Sequence, residues 1–135
     1  MPQPSFLSSS LMVAAGGGLG AWLRYAVGLA WTAALGPLRA GAFPFATLTV
    51  NVAGSLAMGL LAGWLARHGG GGNSAHLLLG VGMLGGFTTF SSFSLDVVAL
   101  IERGQPGMAA LYIAASLLAG IGALFAGLIL MRTAA

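Results

Sequence analysis

Apolar residues dominate four stretches of the chain, covering approximately residues 6–32, 43–66, 75–101 and 108–131, with polar and glycine-rich clusters between them. Crossing about 30 Å of hydrocarbon takes ~20 helical residues, so the pattern predicts four membrane-spanning helices. Pro44 suits the first turn of the second, where its missing N–H is no loss. The segments 35–39, 67–74 and 102–107 read as turns from their Gly, Pro and polar content. One domain, 1–135, without an internal repeat, is expected.

The third stretch departs from a plain spanning helix at residues 85–94. Gly85 and Gly86 loosen a helix, and the hydroxyls of Thr88 and Thr89 compete with its backbone ladder. Phe87, Phe90 and Phe93 follow one another at spacings of three. The segment predicts a helix broken in the middle. Irregular backbone at that depth is tolerated only where protein buries it or where it lines a watery path, and broken helices hold ion sites in many transporters. A continuous helix with a glycine-rich packing face is the alternative.

Polar positions inside the other spans form stripes. Thr47, Asn51 and Ser55 recur every four residues and share one helix face, as do Tyr112, Ser116 and Gly120. Asn51 is the costly residue, because its amide needs partners away from lipid. The stripe is either helix–helix hydrogen bonding or the lining of a polar path, and Tyr112 also suits an interfacial anchor. Small residues at spacing four, Gly16/Gly20, Ser55/Gly59/Gly63 and Gly82/Gly86, permit close helix approach and a tight oligomer. Arg24, well inside the first span, snorkels, attracts an anion, or pairs with an acid such as Asp96. Phe90 and Phe93 share a face. They either pack or turn their partially positive ring edges toward a small anion. The stripes and rings include no carboxylate, which favours an anion or neutral substrate over a cation.

Composition narrows the class. Hydrophobic residues make up 58% of the chain and charged residues 5%, against about 25% charged in soluble domains. The formal charge of +3 comes from five scattered arginines, which form no basic patch, so a nucleic-acid partner is not expected. Without cysteine there is neither disulfide nor thiolate chemistry. Residues 1–10 lack Lys and Arg, so the N-terminus is read as retained rather than as a secretory signal. His68 and His76 read as solvated loop residues. No nucleophile–base set can be assembled, and Gly16–Gly20 follows no strand. An enzyme is not expected.

Four spans put Arg67 and Arg132 on one side, and Arg39, Arg103 and Arg24 on or near the other. Such a near tie sets no orientation by positive charge. Copies inserted both ways would form an antiparallel dimer and supply the inverted symmetry that one short chain lacks. A single weakly biased orientation is the alternative.

The segments Gly17-x-x-Gly20-Ala21-x-x-Arg24-Tyr25, Thr47-Leu48-x-Val50-Asn51-x-x-Gly54-Ser55 and 85–94 appear in that order. On these the sequence resembles the CrcB/Fluc family of fluoride channels. The resemblance implies an all-α integral membrane protein of the plasma (inner) membrane. It implies a dual-topology antiparallel homodimer with two pores that passively exports fluoride. It places a structural Na⁺ on the backbone carbonyls of Gly85 and Thr88, and a pore at Asn51, Phe90 and Phe93 with a polar track of Thr89, Tyr112 and Ser116. Thr47, Ser55 and Arg24 are further pore candidates from the stripes and the buried charge. Gly120 stands where some relatives carry serine, which leaves the length of the track open. A four-helix drug exporter would need a membrane acid for proton coupling, absent from the first two spans; a purely structural subunit would leave the stripe and the break unexplained.

The arginine count makes orientation testable. Two or three lysines added within 67–74 are expected to bias insertion and lower function, with recovery on co-expression of an oppositely biased copy. Full activity of one strongly biased form by itself would rule out a two-orientation assembly.

Overall fold

The computed structural model describes residues 5–68 and 73–133, without the side chains of His68 and Asn73. The expectations for His68 and for the 69–72 turn lie outside that description. Helix α1, Phe6–Leu35, starts at Ser5, whose hydroxyl accepts the Ser8 N–H at 3.3 Å. It stops at Gly36, and Pro37 opens a short helix α2, Pro37–Ala42, where a turn was expected. Proline's fixed φ and absent N–H suit it to a first helical position, so the Gly-Pro pair ends one helix and begins another. Helix α3 spans Phe45–His68 and α7 spans Pro106–Thr133.

The third span is composite. A short α4, Asn73–Ala75, leads into a π-helical segment, His76–Leu84, then α5, Gly85–Phe87, and after Thr88 and Thr89 the helix α6, Phe90–Glu102. His76 therefore opens a helical segment instead of lying in a loop. The π geometry shows in the Gly85 N–H, which reaches back five residues to the Gly80 carbonyl, and nothing in the sequence pattern announced it. Gly104, at φ 73°, closes α6: its N–H donates to Ile101 and the Gln105 N–H donates to Leu100, at 2.9 and 3.0 Å. That left-handed cap suits glycine.

Every regular element among the described residues is helical, with four helices long and apolar enough to cross a membrane, the third of them broken. They pack as two parallel pairs, α1 against the π segment and α5, and α3 against α7, with α6 resting on α7. Small residues set both approaches. A Cβ on Gly16 or Gly86 would collide with the backbone of Leu78 or Gly17, and one on Gly59 or Gly127 with that of Leu124 or Leu56. Gly85 and Gly86 are helical, so the break lies later than expected; Gly86 serves the contact with α1 instead of loosening the chain.

A small core of Leu100, Ala109 and Tyr112 is covered by Phe43, Leu48, Phe93 and Val97. Aromatic contacts continue from it in both directions: Trp31, Phe45, Phe43, Tyr112, Phe93 and Phe90 succeed one another at centroid separations of 4.8–5.7 Å. The helix ends are tied by arginine. Arg67 donates to the Met131 carbonyl and Arg103 to that of Gly41, both at 2.7 Å.

Close packing separates the glycines sharply. Gly20→Ala would drive a methyl into the Met83 carbonyl and to 2.8 Å from the Phe87 nitrogen, while the space around Gly18 is open for 4 Å. Gly20→Ala is expected to destabilise by about 1–3 kcal/mol and Gly18→Ala to be neutral or slightly stabilising, read from unfolding in detergent. Equal behaviour of the two variants would contradict the packing assigned to α1.

Candidate functional site

The site is built around the two non-helical residues of the third span. Thr88 (φ −84°, ψ 157°) and Thr89 (φ −152°, ψ 120°) are extended. Extended backbone inside a helical span loses its ladder partners, and each must be replaced. Asn51 on α3 replaces two. Its Oδ1 accepts the Thr89 N–H at 2.8 Å and its Nδ2–H donates to the Thr89 carbonyl at 3.0 Å. Gly54, one turn on, has no Cβ where one would strike the Thr88 methyl and come within 3.4 Å of the Phe87 ring. Asn51 and Gly54 together form a socket for the break.

The threonine hydroxyls repair the two helix ends. Thr88 Oγ1 donates to the Leu84 carbonyl at 2.8 Å, beside the Thr88 N–H at 3.0 Å. Thr89 Oγ1 caps α6 by accepting the Ser92 N–H at 3.1 Å, and lies 3.2 Å from the hydroxyls of both Ser91 and Ser92. Of the carbonyls of residues 85–88, which end a helix at the break, two have their usual donors taken by side chains. The N–H that a continuous helix would offer Gly85 is held by Asn51, and the one it would offer Thr88 is held by Thr89 Oγ1.

A groove of about 320 Å³ opens beside the break, lined by Asn51, Ser55, Thr88, Thr89, Phe90, Phe93 and Ser116 with Gly54, Met58, Leu117 and Leu124. Six of the nine pore candidates thus meet in one place: Asn51, Ser55, Thr89, Phe90, Phe93 and Ser116. No charged side chain lines the groove. It lies at the N-terminus of α6, whose dipole is positive at that end. The Phe90 and Phe93 rings are 5.7 Å apart and tilted by 39°. Phe90 is 80% exposed, so one chain supplies only part of its surroundings. Ser116 Oγ is buried with no hydrogen-bond partner among the described residues, an exception among buried polar groups. A Cβ on Gly120 would stand 3.6 Å from Ser55 Oγ, so the third position of the α7 stripe faces a hydroxyl supplied by α3.

The other three candidates lie apart from the groove lining. Tyr112 is fully buried behind Phe93, at 5.2 Å between rings, and donates its hydroxyl to Asp96 Oδ2 at 3.2 Å. This rules out the anchor reading of Tyr112. Thr47 opens onto a separate cavity of about 350 Å³ shared with Tyr25, Trp31 and Asp96. Arg24 is half-buried on α1 and does not line the groove. The candidate pairing of Arg24 with Asp96 is not formed; Asp96 is engaged by Tyr112, which sits on the helix packed against its own. Sequence reasoning passed over Asp96 as a site residue. The usable signal was its place one turn after Phe93, on the face that carries the ring toward Tyr112. Gly54 likewise entered the sequence reading only as a position in the family-like motif of the second span.

Among the described residues no three His, Cys, Asp or Glu side chains gather as a metal site. A cation here would be offered uncharged oxygens, from backbone, hydroxyl and amide groups.

The cap on α6 yields a direct check. Thr89→Val removes the hydroxyl that receives the Ser92 N–H and is expected to cost about 1 kcal/mol, with faster amide exchange at the start of α6. Thr89→Ser keeps the acceptor and is expected to behave as the parent. If valine is also silent, the hydroxyl is free for another use.

Comparison with known proteins shows the family. Residues 11–128 match the family model described as CrcB-like protein, Camphor Resistance (CrcB). The chain is 55% identical over 126 residues to the fluoride-specific ion channel FluC of Novosphingobium aromaticivorans, covering 93% of this chain and 98% of that protein. It is 57% identical over 124 residues to the FluC protein of Rhodospirillum centenum, covering 92% and 95%. It is 47% identical over 127 residues to that of Caulobacter vibrioides, covering 93% and 97%. With the model matched from the first span to the fourth, and relatives aligned over nearly their whole length, this chain belongs to the CrcB/Fluc family.

Proposed function

We propose that the chain is the subunit of a passive, fluoride-selective channel that lets fluoride leave the cytoplasm. It is a multi-pass protein of the bacterial plasma membrane. The observation that carries the reading is the uncharged groove at the break, where ring edges, hydroxyls and an amide converge on the positive end of α6. An anion entering it meets donors that need no counter-charge: ring edges, the unpartnered Ser116 hydroxyl and the second N–H of Asn51. A lining free of carboxylates does not favour cations. The relatives' name, fluoride-specific ion channel, points to the same ion, and offers no support for an enzyme.

In this reading two copies assemble antiparallel, each closing the other's groove, to give two pores. The exposed ring of Phe90 and the groove's open side motivate the second copy. A Na⁺ on the two-fold axis would be held by the carbonyls of Gly85 and Thr88. The residues present fit such an ion: both carbonyls lose a helical donor, one to Asn51 and one to Thr89, and Gly85 is exposed. Orphan carbonyls in a dry interface cost on the order of a few kcal/mol each; a hard monovalent cation offsets that cost and adds its binding free energy to assembly.

The test is fluoride efflux from proteoliposomes, against chloride and with or without a proton gradient. Fluoride-selective, gradient-independent flux is expected. Proton-coupled transport of an organic cation would instead support the drug-exporter alternative. Phe90→Ile and Phe93→Ile are each expected to slow fluoride about tenfold, which asks each ring for ~1.4 kcal/mol at the barrier. Unchanged flux in both would return the rings to simple packing. Exchange of Na⁺ for a large organic cation during purification is expected to reduce flux and dimer recovery together.

A further inference from the structure

Asn51 has two possible duties at this site, and the geometry favours one that its residue type did not announce. We infer that Asn51 is a positioning residue: its amide latches the break in the third span to the second, and so fixes where Phe90 and Phe93 stand. The consequence for permeation rests on the fluoride-channel reading; the latch itself rests on geometry alone.

An asparagine side chain is a copy of a peptide group, with one carbonyl and one amide. Here it pairs with the Thr89 backbone as a neighbouring strand would, taking the N–H at 2.8 Å and giving to the carbonyl at 3.0 Å. Thr89 is extended and can receive such a partner. The pair joins residues 38 apart in sequence and ties α3 directly to the first residues of α6. The latched residue is also the α6 cap, through its hydroxyl and the Ser92 N–H. Phe90 is the next residue and Phe93 lies one turn on, so the phase of α6, and with it both rings, follows from where Thr89 is held. Gly54 completes the fit, because any side chain there would push the Thr88 methyl away.

The second N–H of Asn51 remains for the groove. An anion contact and a latch therefore share one amide, and the two are separable by experiments that contain no fluoride. With 4-fluorophenylalanine at position 90 or 93, ¹⁹F NMR of the assembled protein in fluoride-free buffer reads ring position. Amide exchange at Thr89 reads the bond. Asn51→Leu keeps the volume and removes both hydrogen bonds. It is expected to shift or broaden both ring resonances and to speed Thr89 exchange about tenfold. Asn51→Asp retains the acceptor for the Thr89 N–H and is expected to keep most of that protection while losing flux. A merely structural role would lower the yield of assembled protein and leave ring resonances and exchange in the surviving fraction unchanged. That result overturns the latch. So does unchanged NMR and exchange in Asn51→Leu accompanied by lost flux, which would leave Asn51 as an anion contact only. Both NMR arms are read without fluoride, so they decide the latch whatever the parent's flux; the flux assay decides the channel reading separately.

Discussion

A polar backbone group inside hydrocarbon has nowhere to go but to another protein group or an ion, and this requirement shapes the whole molecule. A helix satisfies it by itself, which is why spans one, two and four need no explanation beyond length and apolarity. The third span gives up its ladder at Thr88 and Thr89. Everything nearby then supplies partners. Asn51 reaches across from α3, Thr88 back-bonds to Leu84, and Thr89 caps the helix it begins. The groups left over have opposite character on the two sides of the break. Behind it are carbonyls, suited to a cation; ahead of it is the positive end of α6, suited to an anion. One interruption thus presents carbonyl oxygens and a positive helix end a few residues apart.

The glycines make that arrangement reachable. The latch on Thr89 works only if α3 lies close to the third span, and Gly54 permits this at the level of the break. Gly16, Gly17 and Gly20 bring α1 against Gly82, Met83 and Gly86, while Gly59 and Gly127 bring α3 against α7. Lipid tails offer no less apolar surroundings than leucine, so helix association relies on close backbone approach and interhelical hydrogen bonds. The chain uses both, and it concentrates them around the same two residues.

The single chain leaves one polar groove open on its surface. Its buried core is small, while Phe90 and many leucines of α7 are exposed. Most of that surface suits lipid. Phe90 is different, because it rims a groove that also contains Asn51, Ser55, Ser116 and the Thr89 backbone. Behind the groove, Phe93 stacks toward Tyr112, and Tyr112 holds Asp96. Asp96 is thereby held away from the groove, whose lining among the described residues carries no charged side chain.

By itself the sequence determined the number of spans, because apolar length maps directly onto membrane thickness. It favoured a break in the third span over a continuous helix, because Gly-Gly and Thr-Thr both weaken a helix locally. It also brought forward Asn51, Ser55, Ser116, Phe90 and Phe93, since polar residues at spacing four share a face and a buried amide must have a purpose. Tertiary structure decided the rest. The break moved from the glycines to the threonines because Gly86 is needed for contact with α1, whereas an extended Thr89 finds a partner in Asn51. Asp96 took Tyr112 rather than Arg24 because α6 rests on α7. Spacing within one helix is a local property and is legible in order along the chain. Which side chain meets which backbone across 38 residues depends on how the helices cross, and that is settled only when they pack.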